Sequence, residues 1–256
     1  MSLEQEAKRM LMERLDDCLK VHADLLDSQD IGSIYELQDL AQLHYYLKVE
    51  HPFTPAEVEA LLSFQDPLEV ARWCKEENTH ILLCQVLGEL RKEGIETEMI
   101  RLAGQVIEPC KACWACGGQQ NCVHRRDSFR EIFDKMKAAD GALLGSPVYT
   151  ANVSANMQAF LERASVVADM NRDTGLFRHK VGAAVTAARR GGAVNALDAM
   201  NRFFLLQEMF VVGSCYWPMA YGRMPGEVRS DAEGLNTMRV LGKNMAFLLK
   251  ALHKNA

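Results

Sequence analysis

The stretch GALLGSPVYTANVSANMQAFLERAS, residues 141–165, places a short apolar segment directly before an amphipathic one. Residues 141–149 are mostly small and apolar and run into a turn at Pro147, as in a buried strand. The residues after Ser154 carry apolar side chains at helical spacing. Parallel sheets are built from such strand-then-helix units, because the helices cover the faces of the sheet. The stretch therefore predicts an α/β domain.

The same alternation continues on both sides of this unit. Further strands are predicted at 95–102, 180–188 and 210–217, and helices at 79–94, 128–140, 193–209 and 231–254. Several of these strands are apolar almost throughout, which is typical of a parallel sheet covered on both faces. The sequence predicts a doubly wound parallel sheet over residues 77–256.

Residues 1–76 have a different pattern. Apolar side chains recur at helical spacing, and the segments starting at Thr54-Pro55 and Asp66-Pro67 have the cap and proline of helix starts. No strand and no chemical motif stands out there. We predict a separate helical N-terminal domain with a packing or oligomerisation role.

Composition excludes several classes of protein. The 256-residue chain is 48% hydrophobic and 25% charged with a net charge of −5, so a general affinity for nucleic acid or an anionic membrane is not expected. Its first residues are polar, unlike a secretory signal, and no apolar run approaches the roughly 18 residues of a membrane helix. We expect a cytoplasmic protein with reduced thiols.

The loops after the predicted strands hold the unusual residues. Ligands of open α/β sheets bind beyond the carboxyl ends of the strands, so these loops are expected to share one rim. They are the cysteine-rich loop after 95–102, Ser146–Asn152, Arg189–Gly192, and Trp217-Pro218 with Tyr221–Arg223.

Four of the eight cysteines follow the pattern C-x2-C-x2-C-x5-C: Cys110, Cys113, Cys116 and Cys122. A compact run of this spacing favours an iron–sulfur cluster, which is held by four thiolates. A zinc site and free thiols remain alternatives, although structural zinc sites usually use two separated cysteine pairs. The other four, Cys18, Cys74, Cys84 and Cys215, are predicted to be small buried side chains, and the nearby His124 a surface residue.

The segment from Ile107 to Arg163, with its cysteine run and its GSPVY turn, resembles the flavodoxin-like NAD(P)H-dependent FMN reductases. With four cysteines at this spacing it looks most like their iron–sulfur flavoprotein branch. The resemblance extends over residues 78–252. It implies a flavodoxin-like fold with FMN at the strand ends, a [4Fe–4S] cluster nearby, NAD(P)H as a candidate donor, small-molecule or protein electron partners, and a homo-oligomer.

The resemblance also assigns residues to these groups. The cluster ligands are Cys110, Cys113, Cys116 and Cys122. The flavin contacts are Ser146, Pro147, Val148, Tyr149 and Asn152, with Arg189, Gly191 and Gly192 at the ring or its edge. Asn78 and Thr79 match the end of the family's phosphate loop.

The sequence departs from the family before Asn78. The family's first core strand and phosphate cradle are missing or atypical here, since PLEVARWCKEE (67–77) has the pattern of a helix. Either this segment is forced into the strand, or the N-terminal region covers the gap, or the sequence is degenerate; each choice weakens the expectation of FMN binding. Two alternatives to a two-cofactor redox protein follow. They are a cluster-free NAD(P)H-dependent FMN or quinone reductase, and a cofactor-free oligomerising scaffold.

Overall fold

A computed structural model of the chain describes residues 5, 9–16 and 77–253. The chain divides into two compact units, Met1–Glu77 with Met224–Gly226, and Asn78–Arg223 with Glu227–Ala256. Residues 9–16 are helical, with Leu11 and Leu15 buried. The helices and proline caps predicted for the rest of the N-terminal domain lie outside the described residues, so that domain stays a prediction.

The second unit alternates helices and strands as predicted. Its helices are α1 Asn78–Lys92, α2 Phe129–Ala138, α3 Ala155–Asp169, α4 Ala193–Leu206 and α5 Ala232–His253. Its strands are β1 Gly141–Pro147, β2 Val181–Ala188, β3 Phe210–Val211 and β4 Met219–Tyr221, and 3-10 turns lie at Arg172–Thr174 and Glu227–Ser230.

The sheet is parallel in every described pairing. β2 lies at its centre with β1 on one side, so that Gly141 is opposite Val181. On the other side β2 pairs first with β3 and then with β4, with Ala188 opposite Tyr221. The carboxyl ends of β1, β2 and β4 therefore meet at one rim.

Two apolar cores lie on the two faces of this sheet. β2 is buried at all eight positions, and its alternate side chains enter different cores. Ala184 packs in the core formed with α2, α3 and α4, whereas Val185 packs in the core formed with α1 and α5. Helices on both faces of a parallel sheet confirm the predicted doubly wound α/β class.

The end of α1 before Gly94 and the start of α3 near Ser154 agree with the predictions. α1 ends just before Gly94, whose φ of +76° is the left-handed conformation common after helices. Ser154 caps α3, because its hydroxyl accepts a hydrogen bond from the Met157 N–H.

Among the helices of the described ranges, none combines the length and the apolar character needed to cross a membrane.

The predicted strand at 95–102 is wrong. These residues are described without a strand partner, and their apolar side chains divide between the two cores, with Met99 in one and Ile100 in the other. The alternation in the sequence thus reports which side each residue faces. A strand also requires a neighbour with matching hydrogen bonds, which local sequence does not reveal.

The predicted strand at 210–217 is shorter than expected. Only Phe210 and Val211 are strand residues, and the chain rejoins β2 at Met219. Between them the Ser214 hydroxyl donates to the Thr237 carbonyl of α5 at 2.6 Å, which holds the segment away from the ladder.

Candidate functional site

The cysteine loop packs along the second half of α3. The Cys110 N–H donates to Glu162 Oε1 at 3.1 Å, and the Asn171 amide donates to the Cys116 carbonyl at 2.9 Å. Glu162 lies eight residues beyond Ser154, which is about 12 Å along a helix. The loop begins at the rim, where the Asn156 side chain in the first turn of α3 donates to the Leu102 and Gln105 carbonyls at 2.9 and 3.0 Å. The cysteines lie further along α3, so their sharing of the rim with the other loops stays a prediction.

The structure brings the four predicted cysteines together around one pocket. Cys110, Cys113, Cys116 and Cys122 all line it, with His124 and Arg163 among their neighbours. Cys116 and Cys122 are buried, Cys110 is half-buried and Cys113 is exposed.

Among the described His, Cys, Asp and Glu side chains, no group of three or more is arranged to hold a single metal ion. Four thiols around one pocket suit an iron–sulfur cluster and a zinc site alike, since both groups are held by thiolates. The preference for a cluster therefore rests on the spacing of the cysteines in the sequence.

Two N–H groups point at cysteine sulfurs. Arg163 Nε donates to Cys122 Sγ at 3.1 Å, and the Ala112 N–H donates to Cys110 Sγ at 3.4 Å. Hydrogen bonds to ligating sulfurs are characteristic of iron–sulfur sites, where they tune the reduction potential.

His124 is closer to the site than the sequence indicated. It was expected at the surface, but it is half-buried and its Nε2 lies 3.6 Å from Cys113 Sγ. Burial raises the pKa of the Cys116 thiol, and the neighbouring cysteines reinforce this shift. A buried thiol of this kind favours deprotonation only when a cation or metal compensates the charge.

The backbone of the loop is unusual. Ala112, Trp114 and Gln120 have φ values of 48°, 57° and 52°, and Gly118 has a φ of 70°. Left-handed conformations cost a non-glycine residue about 1–2 kcal/mol each. Ala112 and Trp114 flank Cys113, so two of these strained positions lie directly beside a candidate cluster ligand.

Arg163 is a site residue that sequence reasoning missed. It projects from α3 with a side chain only 2% exposed, and it forms an ion pair with Asp127, which is 1% exposed. A signal was available, because Arg163 lies on the buried stripe of α3 between Phe160 and Val167. A charged residue on such a stripe requires a buried partner.

Arg163 and Asp127 each keep the other side chain charged. Burial opposes the ionisation of Asp127, but the hydrogen bonds from Arg163 and from the Glu108 N–H outweigh it and hold the pKa of the carboxyl below its ordinary value. Burial likewise disfavours charged Arg163, yet Asp127 and Cys122 keep the pKa of the guanidinium raised. The pocket wall therefore contains a fixed positive charge beside Cys122.

The second candidate loop forms a tight turn after β1. Tyr149 and Asn152 exchange two backbone hydrogen bonds of 2.8 and 3.0 Å. The two residues between them, Thr150 and Ala151, both have positive φ, 50° and 57°. Consecutive left-handed residues are rare outside Asn-Gly turns, and strain of this kind clusters at ligand sites.

Ser146 organises this turn from inside. It is fully buried, and its hydroxyl donates to the Pro147 carbonyl and accepts from the Ser154 N–H, both at 2.9 Å. Val148 is half-buried, and its N–H donates to the Ala187 carbonyl of β2. Because these polar groups already bond within the protein, Ser146 and Val148 would contribute to a ligand site by fixing the shape of the turn.

Gly192 joins this turn to the loop after β2. Its φ is +94°, and a Cβ there would lie 2.5 Å from Ala151 Cα and 3.1 Å from a Val148 methyl group. Gly191 has open space around it, and Arg189 is exposed. The predicted meeting of the two loops is thus confirmed by direct contact.

The start of α1 lies beside the end of β4. Asn78 Nδ2 donates to the Gly222 carbonyl at 3.2 Å, and Asn78 Oδ1 accepts from the Val228 N–H at 3.3 Å. Thr79 is buried. The Asn78 side chain is thus committed to the fold, while its role at a phosphate stays a prediction, because the preceding segment lies outside the described residues.

The scattered cysteines do not follow the prediction of uniform burial. Cys84 and Cys215 are exposed, and Cys84 Sγ lies 3.4 Å from His80 Nε2. A single cysteine in an amphipathic segment gives no indication of which face it occupies. Cys18 and Cys74 lie outside the described residues.

Comparison with known sequences identifies related proteins. The family model "NADPH-dependent FMN reductase" matches residues 71–223. An iron-sulfur flavoprotein of Methanocaldococcus jannaschii is 38% identical over 186 residues, 70% of this chain and 94% of the relative. An iron-sulfur flavoprotein of Methanosarcina thermophila is 30% identical over 183 residues, 71% of this chain and 93% of the relative.

Solved structures share the fold at low sequence identity. RosB with bound 8-demethyl-8-formylriboflavin-5'-phosphate matches with a TM-score of 0.56 and 19% identity over 69% of this chain and 73% of its own. A flavone reductase matches with a TM-score of 0.50 and 15% identity over 69% of this chain and 60% of its own. These likenesses support the fold alone.

Proposed function

Because this chain belongs to the iron–sulfur flavoprotein branch of the NADPH-dependent FMN reductase family, we propose that it passes electrons between a reduced donor, FMN and a [4Fe–4S] cluster. The family makes it a flavin-dependent oxidoreductase. The observation that carries the cluster is the pocket lined by Cys110, Cys113, Cys116 and Cys122.

The donor set fits a cluster. Four thiols line one pocket, and two N–H groups already point at their sulfurs. Cys116 and Cys122 would hold the group from the buried side, and Cys110 and Cys113 from the solvent side. Thiolate ligands carry negative charge, and Arg163 supplies a compensating positive charge at Cys122.

At the rim, the backbone of two touching loops supplies the surface on which a flavin would lie. The Tyr149–Asn152 turn and Gly192 form a contact surface that a single Cβ at residue 192 would disrupt. We propose that Ser146, Pro147, Val148, Tyr149 and Asn152 shape one side of the flavin site, and Arg189, Gly191 and Gly192 the other. Asn78 and Thr79 would face its phosphate end from the start of α1.

When bound, the flavin supplies hydride and single-electron chemistry and the cluster supplies single-electron chemistry. The residues of the chain hold and orient these groups. Burial of Cys116 and Cys122 excludes water from one side of the cysteine pocket, while exposed Tyr149 and Arg189 leave the rim open to a donor or acceptor.

Further features of the protein belong to the same proposal. We propose NAD(P)H as the donor, and a small molecule or a second redox protein as the acceptor. We also propose a homo-oligomer, from the likeness to the family. We propose a cytoplasmic location as well, because cluster-binding thiols must be kept reduced.

The test is one anaerobic preparation of the full chain. Reconstitution with iron, sulfide and FMN is expected to give about four irons, about four sulfides and one flavin per chain, with a broad cluster absorption beneath the flavin bands. Flavin without iron would support the cluster-free reductase instead. A colourless protein that takes up neither group would support the cofactor-free scaffold and overturn the proposal.

A further inference from the structure

The buried pair of Arg163 and Asp127 needs an explanation beyond stability. Their side chains are 2% and 1% exposed, on a helix face otherwise occupied by apolar residues. Removing two charges from water is expensive, and well-packed apolar side chains of similar volume often serve a fold as well. A buried ion pair at this position points to a role in the adjacent pocket.

The hydrogen bonds of Arg163 fix the direction of its guanidinium. Nη1 donates to Asp127 and to the Glu108 carbonyl at 3.2 Å, and Nη2 donates to the His124 carbonyl at 3.2 Å. These bonds leave Nε directed at Cys122 Sγ, 3.1 Å away. The guanidinium is therefore oriented by its other partners toward one sulfur of the pocket.

The surroundings strengthen this interaction. The guanidinium carbon lies 4.3 Å from the centre of the Phe129 ring, and both Cys122 and Phe129 are buried. Charges interact more strongly where water is excluded. The field of Arg163 at Cys122 is thus less screened than that of an exposed arginine.

We propose that Arg163 is a positioning residue that raises the reduction potential of the group held by the four cysteines, and that Asp127 limits how far it does so. The inference rests on the proposed function. A positive charge and a hydrogen bond at a ligating sulfur stabilise the reduced, more negative state over the oxidised one. The carboxylate of Asp127, on the other side of the guanidinium, acts in the opposite direction.

The two charges therefore predict opposite effects. Arg163→Met removes the positive charge and the donor, so the midpoint potential should fall. Asp127→Asn removes the negative charge but keeps an oxygen acceptor, so the potential should rise. Asp127 Oδ1 has no hydrogen-bond partner among the described residues, so the asparagine can keep its oxygen for Arg163 and Glu108 and place its NH2 group at the unpaired position. A purely structural role would not produce shifts of opposite sign.

The experiment is an anaerobic redox titration of reconstituted full-length protein. A chemical reductant such as dithionite supplies one electron for each cluster and up to two for each flavin, and the readout is the electron paramagnetic resonance signal of the reduced cluster. Iron and sulfide per chain are measured for every variant. The exposed Arg178–Glu208 pair gives matched controls, Arg178→Met and Glu208→Gln, because it has the same chemistry at the surface.

We expect Arg163→Met to lower the equilibrium constant for reduction of the cluster about tenfold, which lowers the midpoint potential by about 59 mV for one electron. Arg163→Lys keeps the positive charge but loses the planar guanidinium with its several donors, so its midpoint potential should shift less. Asp127→Asn should shift the other way, and both surface controls should match the wild type.

Three outcomes would overturn the inference. They are a wild-type potential in Arg163→Met, shifts of the same sign in Arg163→Met and Asp127→Asn, or shifts as large in the surface controls. If Arg163→Met holds no iron, an unshifted potential in Asp127→Asn overturns it. A wild-type protein without iron would overturn the proposed cluster site together with this role, whereas a wild-type cluster with unshifted variants overturns this role alone.

Discussion

The cysteine loop and the turn at residues 149–152 are both strained, but they are held in different ways. Among the described residues, five of the seven non-glycine positions with positive φ lie in these two segments. The cysteine loop is held by buried polar side chains, notably Arg163 and Asn171. The turn is held by backbone hydrogen bonds and by the absence of a side chain at Gly192.

This difference predicts different sensitivities. A site supported by buried polar side chains fails when one of them is truncated, because its partners remain buried and unpaired. A site supported by backbone shape fails when a methyl group is added where two loops touch. Variants that separate the two effects can break or sharpen the comparison.

The largest effect is expected for Cys116→Ala. Because Cys116 is a buried member of the four-cysteine pocket, its loss should abolish the cluster and reduce iron from about four per chain to nearly none. Iron and sulfide analysis after anaerobic reconstitution measures this, with exposed Cys215→Ala as the control. The flavin content should persist, and a parallel loss of flavin would show that the two sites depend on each other.

Gly192→Ala tests the backbone-held site. The added methyl would lie 2.5 Å from Ala151 Cα at a φ of +94°, so the turn must move. We expect the Kd for FMN to rise about tenfold, which corresponds to about 1.4 kcal/mol, while iron content stays unchanged. Fluorescence titration with FMN measures the change.

Gly213→Ala is its control, because a Cβ at residue 213 meets nothing within 4 Å and the residue has no proposed role at the flavin. It should bind FMN like the wild type. Equal losses in the two variants would mean that the effect of Gly192→Ala does not depend on the contact with Ala151.

Asn171→Ala tests the polar support of the cysteine loop. The buried amide bonds the carbonyls of Cys116 and Val167 at 2.9 and 2.8 Å and accepts from the Gln120 N–H at 3.2 Å. Truncation should lower the free energy of unfolding by about 1–3 kcal/mol. Urea denaturation measures this.

A local readout accompanies the global one. Alkylation of Cys116 in cluster-free protein, followed by mass spectrometry, should become faster in Asn171→Ala. Asn244→Ala removes one exposed bond, to the Gly213 carbonyl, and should change stability by less than about 0.5 kcal/mol. If both variants are equally stable, the buried amide does not support the loop.

The smallest effect is expected from relaxing the turn. Thr150→Asn with Ala151→Gly places the residues preferred in such turns at two positive-φ positions. The double variant should gain about 1 kcal/mol, or about 2–4 °C in Tm for a domain of this size. Thermal unfolding of flavin-free protein measures this, and a lower Tm would show that these positions are not strained.

The order of elements was readable from the sequence because it depends on local periodicity. β2 and the first residues of α3 and α4 were predicted to within about two residues, since apolar runs and the glycines after β2 are local signals, whereas α3 continues to Asp169, four residues beyond its predicted end. The segment at 95–102 was mistaken for a strand, because alternation records which side a residue faces but not whether a neighbouring strand exists.

The candidate site divides in the same way. The spacing of the four cysteines by itself determined that they could surround one group, and the structure places them at one pocket. Their location along α3, the contact of Gly192 with the turn, and the ion pair of Arg163 with Asp127 were decided by the tertiary structure. Asp127 and Arg163 are 36 residues apart, and a buried charge acquires its partner only when the packing of distant segments brings the two together.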